Sequence, residues 1–221
     1  MTLDPKSTLG ELATAHPVAS RVFQAHQLDY CCGGGRSLEE ACARKGLDPA
    51  SILDEIAAEE SVNPDLQSWV GRPLDQIIQH IVDYYHARLR RELPELESLA
   101  MRVEHRHALH PDVPDGLAHI LRAMQEDVFD HLAKEERILF PLIAAGRGAE
   151  AGGPIHAMEA EHEDTARDLA RIRKLTNEYR PPADACTSWR ALFMRLAAFE
   201  SEFMEHVHLE NNVLFPAALC R

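Results

Sequence analysis

Two segments of this chain repeat one another. Both read His-x-x-x-Glu-x-x-[Ile/Val]-Leu-Phe-Pro, the first from His131 to Pro141 and the second from His206 to Pro216. On an α-helix a residue and its fourth successor lie on the same face, about 6 Å apart along the axis. Each segment therefore directs one imidazole and one carboxylate to a common point, about two turns before a helix-ending Phe-Pro. Two such helices facing each other would form a metal site.

Helical periodicity runs through every long segment after Pro73, and there is no strand signal. Breaks at 110–115, 146–154 and 179–184 separate four long helices. The predicted helices run from 73 to about 107 with a kink at Pro94, from 115 to 145, from 154 to 178 and from 184 to 219. Short connections between long helices imply antiparallel neighbours. The predicted fold class is therefore all-α, with an up-down-up-down four-helix bundle.

A small helical domain, residues 1–61, precedes the bundle domain, residues 73–221. Its four predicted helices cover 9–15, 17–27, 37–45 and 48–60. Ser37-Leu-Glu-Glu40 is a capping box, and Asp48-Pro49 places a cap residue before a proline at the first helical position. Residues 62–72, which contain Asn63-Pro64 and end at Gly71-Arg72 just before Pro73, form the predicted linker.

Two adjacent cysteines, Cys31 and Cys32, stand in the joint between the second and third short helices. The three glycines that follow, Gly33 to Gly35, are expected to adopt backbone conformations closed to other residues and to leave the thiols poorly shielded. An odd total of five cysteines in a chain of 221 residues argues against a disulfide framework, so we expect reduced thiols. The other three lack such a setting and are expected to be inert: Cys42, Cys186 and Cys220.

Charge and hydropathy exclude several classes of partner. A formal net charge of −13 and a pI near 5.4 argue against nucleic acid, because phosphate binding needs clustered Lys and Arg. No basic stretch followed by an apolar run opens the chain, and no segment approaches the continuous apolar length of a membrane span. We therefore expect a cytoplasmic protein with no membrane partner. No heptad pattern fixes a stoichiometry, and self-association as a homodimer stays open.

A two-metal site in such a bundle needs inward-facing ligands from all four helices at one depth. The sequence offers four imidazoles and two carboxylates: His86, His131, Glu135, His162, His206 and Glu210. With each Glu bridging and two His per ion, this set of nitrogen and oxygen donors suits iron best, manganese next and zinc less. Coordination positions would remain for oxo, water or a small gas.

The other histidines are expected not to bind this metal. An unbroken helix would separate His86 from His107 by about 31 Å, and His208 points away from both His206 and Glu210. Seven more are read as ordinary structural residues: His16, His26, His80, His105, His110, His119 and His156. Glu136 and Glu161 stand beside ligands and are read either as hydrogen-bond acceptors for them or as solvated residues.

Several motifs together resemble the iron-sulfur cluster repair family, the YtfE/ScdA/DnrN group of di-iron proteins. They are the N-terminal Leu-Gly-Glu-Leu-Ala, the Asp-Tyr-Cys-Cys-Gly-Gly run, the His-Ile-Val-Asp-Tyr-Tyr-His stretch, the two repeats and the segment Met158-Glu-Ala-Glu-His162. The resemblance implies a hemerythrin-like domain with an oxo- or hydroxo-bridged, non-haem di-iron centre. It also implies a role in restoring iron-sulfur clusters damaged by nitric oxide or oxidants. The family's ligands carry over to the six residues above, and its paired cysteines carry over to Cys31 and Cys32.

Three functions remain open for such a centre. The protein could donate iron to damaged iron-sulfur proteins or handle nitric oxide during repair, with Cys31 and Cys32 as a thiol relay. It could instead buffer or sense nitric oxide or dioxygen without any repair. It could also be an enzyme that reduces nitric oxide at the two irons. A fourth alternative is a metal-free helical interaction module, with the histidines merely buried.

Overall fold

The computed structural model describes residues 3–62 and 68–220, and about three quarters of them are helical. The first four helices are α1 (Leu9–Ala15), α2 (Ala19–Ala25), α3 (Leu38–Lys45) and α4 (Pro49–Val62). Their ends lie within two residues of the predicted ones, which confirms the four short helices. The only strand-like feature of the described residues is an isolated antiparallel bridge between Thr8 and Ser37.

Four long helices follow, and three of them contain a π-helical turn. The first, α5, consists of Leu74–His80, the π turn Ile81–His86 and Ala87–Arg106. Helix α6 consists of Leu117–Lys134, the π turn Glu135–Leu139 and Phe140–Ala144, and α7 is Gly148–Leu175. Helix α8 consists of Thr187–Leu209, the π turn Glu210–Leu214 and Phe215–Leu219. Among the described residues, no helix combines the length and apolar character needed to span a membrane.

The chain divides into two compact units. One comprises Met1–Ile78 together with Met204–Arg221, and the other comprises Gln79–Phe203. The predicted domains 1–61 and 73–221 and the linker 62–72 stay predictions. Residues 63–67 of that linker lie outside the described part of the chain.

The first unit is a cluster of short helices, and side-chain caps fix the starts of α1 and α3. Thr8 accepts a hydrogen bond from the Glu11 amide, and the Glu11 carboxylate accepts one from the Thr8 amide, a complete capping box. Ser37 caps α3 as predicted, accepting from the Glu40 amide at 3.2 Å. The buried core of the unit includes Leu9, Leu12, Phe23, Tyr30, Leu38, Ile52 and Ile56, and Met204 packs against it.

The second unit contains a closed ring of four helices. Ion pairs join α5 to α6, α6 to α7, α7 to α8 and α8 back to α5. They are, in that order, Glu97–Arg122, Lys134–Glu161, Arg173–Glu200 and Glu92–Arg195. Short connections at 107–116, 145–147 and 176–186 link consecutive helices, which makes neighbours antiparallel. The predicted up-down-up-down bundle is confirmed.

The start of α7 differs from the prediction. The helix begins at Gly148, six residues before Pro154, where we expected it to start. A proline inside a helix removes only its own N–H bond and crowds the preceding turn. Gly148 and Ala151 in the added turns are buried, so packing stabilises a helical stretch that local sequence signals argue against. In α5 the helix likewise continues through Pro94 to Arg106.

Candidate metal centre

The unit Gln79–Phe203 brings four of the six predicted ligands into one buried cluster. The side chains of His86 and Glu135 are fully buried, and His131 and His162 are 6% and 1% exposed. His86 lies on α5, His131 and Glu135 lie one turn apart on α6, and His162 lies on α7. Burying four titratable side chains together costs free energy unless they are paired or bind an ion.

Glu135 stands between two imidazoles. Its Oε2 atom is 3.3 Å from Nε2 of His86 and 3.4 Å from Nε2 of His131. Nε2 of His131 is also 3.0 Å from Nε2 of His162. The potential ligand atoms of His131, Glu135 and His162 all lie within 4.8 Å of one another. Glu135 thus has the position of a carboxylate that bridges two ions.

The cluster fits transition-metal ions on its own geometry. Two imidazole nitrogens at 3.0 Å need either a shared proton or a shared cation between them. With bonds of about 2.1 Å to one ion, ligand atoms at octahedral or tetrahedral angles lie about 3.0–3.4 Å apart. The three separations around Glu135 and His131 fall in this range. A mixed set of imidazole and carboxylate ligands suits iron, manganese or zinc.

A carboxylate outside the cluster orients each of two imidazoles. Nδ1 of His86 donates to Glu136 at 2.7 Å, and Nδ1 of His131 donates to Glu161 at 2.9 Å. This bonding leaves Nε2 of each ring, which faces Glu135, as the metal-binding atom. Of the two readings given to Glu136 and Glu161 from the sequence, the structure supports hydrogen-bond acceptors for the ligands.

Both outer carboxylates also bind a cation. Glu136 accepts from Arg90 at 2.8 Å, and Glu161 accepts from Lys134 at 2.6 Å. Burial opposes ionisation, yet hydrogen bonds from Arg90 and His86 keep the pKa of Glu136 below its usual value. Hydrogen bonds from Lys134 and His131 lower the pKa of Glu161 in the same way. Both carboxylates are therefore ionised and can raise the basicity of the rings that they hold.

The last two predicted ligands lie in the unit Met1–Ile78 with Met204–Arg221. His206 and Glu210 are 1% and 0% exposed, and Nε2 of His206 is 2.9 Å from Oε1 of Glu210. The spacing of four residues places both side chains on one face of α8, as the repeated motif predicts.

π-helical turns coincide with the predicted ligands. One turn ends at His86, and the other two begin at Glu135 and Glu210. In both repeats the proline comes two residues after the π turn, and the helix continues to Ala144 and Leu219 instead of ending there. Widening the preceding turn separates the proline ring from the carbonyl four residues earlier. The Phe-Pro pair therefore marks a π turn at the ligand, not the end of the helix.

The cysteine loop is less open than the sequence suggested. The thiol of Cys31 is buried at 6% exposure, and only Cys32 is partly accessible. A hydrogen bond with Cys32 and burial both raise the pKa of the Cys31 thiol well above its ordinary value. The expectation of two poorly shielded thiols is wrong for Cys31, which is a protonated, enclosed side chain near neutral pH.

The three glycines after the cysteines do not adopt the special backbone conformations that the sequence predicted. None of Gly33, Gly34 and Gly35 has a positive φ. A Cβ on Gly33 would lie 2.9 Å from the Asp29 carboxylate, and one on Gly34 would lie 2.6 Å from the Tyr30 carbonyl oxygen. Close approach of the backbone, not a left-handed conformation, requires glycine at 33 and 34. Gly35 has open space around it.

Comparison with known proteins gives two family matches. The Hemerythrin HHE cation binding domain matches residues 77–218, and the domain of unknown function ScdA_N (DUF542) matches residues 5–60. The iron-sulfur cluster repair protein YtfE of Musicola paradisiaca is 44% identical over 97% of this chain and 96% of that protein. The YtfE proteins of Citrobacter koseri and Escherichia coli O157:H7 are each 46% identical over 96% of both chains.

This chain belongs to the YtfE family. The similarity extends over nearly the whole length of these iron-sulfur cluster repair proteins, so it includes both the cysteine loop and the histidine-rich helices. The cation-binding family model alone spans every one of the six predicted metal ligands. The recognition made from the motifs is confirmed.

In this member of the YtfE family two histidines outside the predicted ligand set, His208 and His107, have local partners. The ring of His208 contacts the tilted ring of Tyr30 at 5.3 Å between centroids, and burial lowers the pKa of His208 to about 4 against an opposing backbone hydrogen bond with Tyr30. Nε2 of His107 lies 3.1 Å from the thiol of Cys186. Because α5 continues unbroken through Pro94, the long separation expected between His107 and His86 stands.

The hydrogen bond from His86 to Glu136 gives the first prediction. Replacing Glu136 with glutamine removes the charge that orients and polarises His86, and we expect about 10- to 100-fold weaker metal affinity. Competition with a calibrated chelator measures this affinity. Glu126→Gln, an exposed position on the same helix, is the matched control. Equal affinities for the two variants would show that Glu136 does not tune the cluster.

The close approach at Gly34 gives the second prediction. A Cβ there meets backbone, so Gly34→Ala is expected to destabilise the loop by about 1–3 kcal/mol, while Gly35→Ala stays within about 0.5 kcal/mol. Because the Cys31 thiol is buried, its rate of reaction with a thiol reagent, followed by peptide mass spectrometry, reports loop opening. Gly34→Ala should label Cys31 faster than Gly35→Ala does. The same rate in both variants would contradict the role assigned to Gly34.

Proposed function

We propose that this protein repairs iron-sulfur clusters damaged by nitrosative or oxidative stress, through a di-iron centre that donates iron, handles nitric oxide, or does both. The observation that carries the proposal is the buried cluster around Glu135, whose geometry suits a carboxylate bridging two ions. The names of its relatives support it, since they are called iron-sulfur cluster repair proteins. The match to a cation-binding hemerythrin domain supports it independently.

The proposed ligand set contains all six residues predicted from the sequence. His131 and His162 would hold one ion, and His86 with His206 would hold the other. Glu135 and Glu210 would bridge the two ions. The repeated motif supports the equivalence of Glu135 and Glu210, because each begins a π turn four residues after a histidine.

Iron bound there would offer open coordination positions for a diatomic gas and would be held less firmly than by four thiolates. The chain's own residues provide the rest. Glu136 and Glu161 hold two imidazoles with Nε2 directed inward, and burial excludes bulk water from Glu135. A cavity of about 640 Å³, lined by His131, Lys134 and Glu161 among others, adjoins the cluster.

The proposed partners are damaged iron-sulfur proteins and nitric oxide or dioxygen as small ligands, and the proposed location is the cytoplasm. Cys31 and Cys32 are proposed to pass iron or nitrosyl groups onward. In a repair assay with a nitric-oxide-damaged iron-sulfur enzyme, the Cys31→Ser/Cys32→Ser variant should keep gas binding and lose repair activity. Undiminished repair by this variant would remove the relay from the proposal.

One anaerobic experiment separates repair from its alternatives. The reduced, iron-loaded protein is mixed with nitric oxide, and nitrous oxide and recovery of the damaged enzyme are measured together. Repair with no more than one stoichiometric burst of nitrous oxide supports the proposal. Nitrous oxide formed over many cycles would favour a nitric oxide reductase, and gas binding without enzyme recovery would favour a buffer or sensor.

A further inference from the structure

Asp29, Cys31 and Cys32 form a second cluster of metal-ligating atoms, entirely within the unit Met1–Ile78 with Met204–Arg221. The two Sγ atoms lie 3.9 Å apart, and Sγ of Cys31 is 3.3 Å from Oδ1 of Asp29. All three ligand atoms lie within 4.8 Å of one another. Neither the bundle helices nor the predicted di-iron ligands contribute a residue to this cluster.

The separations match those around a single tetrahedral ion. Metal–sulfur bonds of about 2.3 Å at the tetrahedral angle place two sulfurs about 3.8 Å apart. A sulfur and a carboxylate oxygen bound at about 2.3 and 2.0 Å lie about 3.5 Å apart. Both separations that involve Cys31 are therefore close to the required spacing before any ion binds, and the carboxylate of Asp29 lies within 4.8 Å of Sγ of Cys32. A fourth position remains for water or another ligand.

Hydrogen bonds to the backbone hold the loop in this shape. The Cys32 amide donates to Oδ1 of Asp29 at 3.0 Å. The side-chain amide of Asn212 lies 3.4 Å from the carbonyl oxygens of both Tyr30 and Cys31, and that of Asn211 lies 3.5 Å from the Cys31 carbonyl. Ligands fixed by such supporting contacts bind an ion without a further cost of ordering the chain.

We propose that Asp29, Cys31 and Cys32 bind one divalent transition-metal ion in a tetrahedral site separate from the di-iron centre. Each thiol loses its proton on binding, so one ion replaces two protons and both thiolates become ligands. In the working protein the ion is ferrous iron. The identity of the ion rests on the proposed function, whereas the existence of the site does not.

Cobalt(II) tests the site in the full-length, iron-loaded protein with reduced thiols under anaerobic conditions. We expect one equivalent to bind with thiolate-to-cobalt charge-transfer absorption and the intense visible bands of tetrahedral cobalt. The Cys31→Ser/Cys32→Ser variant should lose both signals. Asp29→Asn keeps the oxygen that accepts from the Cys32 amide but loses the charge, and it should bind cobalt at least about tenfold more weakly.

The matched control is Cys186→Ser/Cys220→Ser, which removes two thiols elsewhere and should titrate like the unmodified protein. The proposal would be overturned if the Cys31→Ser/Cys32→Ser variant still showed the cobalt signals. It would also be overturned if Asp29→Asn bound cobalt as tightly as the unmodified protein does. Glu135→Ala separates this site from the proposed function. If that variant lacks iron yet shows the thiolate signal, the loop site stands alone. If the unmodified protein repairs clusters but shows no thiolate signal with cobalt, the loop site is contradicted and the proposed function is not.

Discussion

Replacing Glu135 with alanine should lower the iron content of the purified protein from about two ions per chain to less than one. The carboxylate lies between His86 and His131, within 3.4 Å of Nε2 of each ring, and would be shared by both ions. Its loss removes one ligand from each ion at once. We expect the affinity for iron to fall by more than about 100-fold, the upper range of losses seen for residues that only support a ligand. Iron analysis after anaerobic reconstitution measures the effect.

Glu126→Ala is the matched control for this experiment, because it removes an exposed carboxylate from the same helix. It should retain the full iron content. Circular dichroism of both variants distinguishes lost metal from lost helix. A Glu135→Ala protein with unchanged iron content and unchanged helicity would exclude a bridging role for this residue. Metal-free protein that still repairs clusters would contradict the proposed function itself.

Local sequence signals were sufficient to predict much of this protein. The spacing of His131 and Glu135 places both on one helix face, and the structure buries them together as that spacing requires. Caps and prolines are short-range signals, so Ser37 and Asp48 located the starts of two short helices correctly. The periodicity of the long segments specified the bundle, because each apolar stripe needs neighbouring helices to cover it.

Features that depend on tertiary contacts could not be predicted in the same way. A Cβ at Gly34 would lie 2.9 Å from Oδ1 of Asn212, which is distant in sequence, so no local pattern could predict that approach. The sequence predicted an ordinary α-helix at Glu135 and not a π turn, because one extra residue in a turn hardly changes the spacing of the apolar residues. The contact between Asn212 and the cysteine loop joins residues about 180 positions apart in the sequence, so no local pattern could predict it.

The pairing of α7 and α8 contains a partly buried ion pair that no sequence pattern predicted. Arg173 contacts Glu200, whose residue exposure is only 7%. The phenol of Tyr179 lies beside them, where burial and then the charge of Glu200 raise its pKa well above the usual value. Tyr179 follows Asn177 and Glu178, and all three have positive φ values between 49° and 58°. The pair thus stands next to a turn held in an unfavourable backbone conformation.

Glu200→Ala should therefore destabilise the protein by about 3 kcal/mol, because Arg173, whose side chain is only 23% exposed, then keeps only the longer 3.8 Å contact with Glu178. For a chain of this size that loss lowers the melting temperature by about 6–12 °C. Glu202→Ala is the matched control, two residues along the same helix, since it breaks the more exposed pair with Arg88 and should cost less than about 1 kcal/mol. Differential scanning calorimetry of the metal-free proteins compares the two without a contribution from bound iron. Equal melting temperatures for the two variants would mean that Arg173 regains water when Glu200 is lost, and that the pair does not hold α7 against α8.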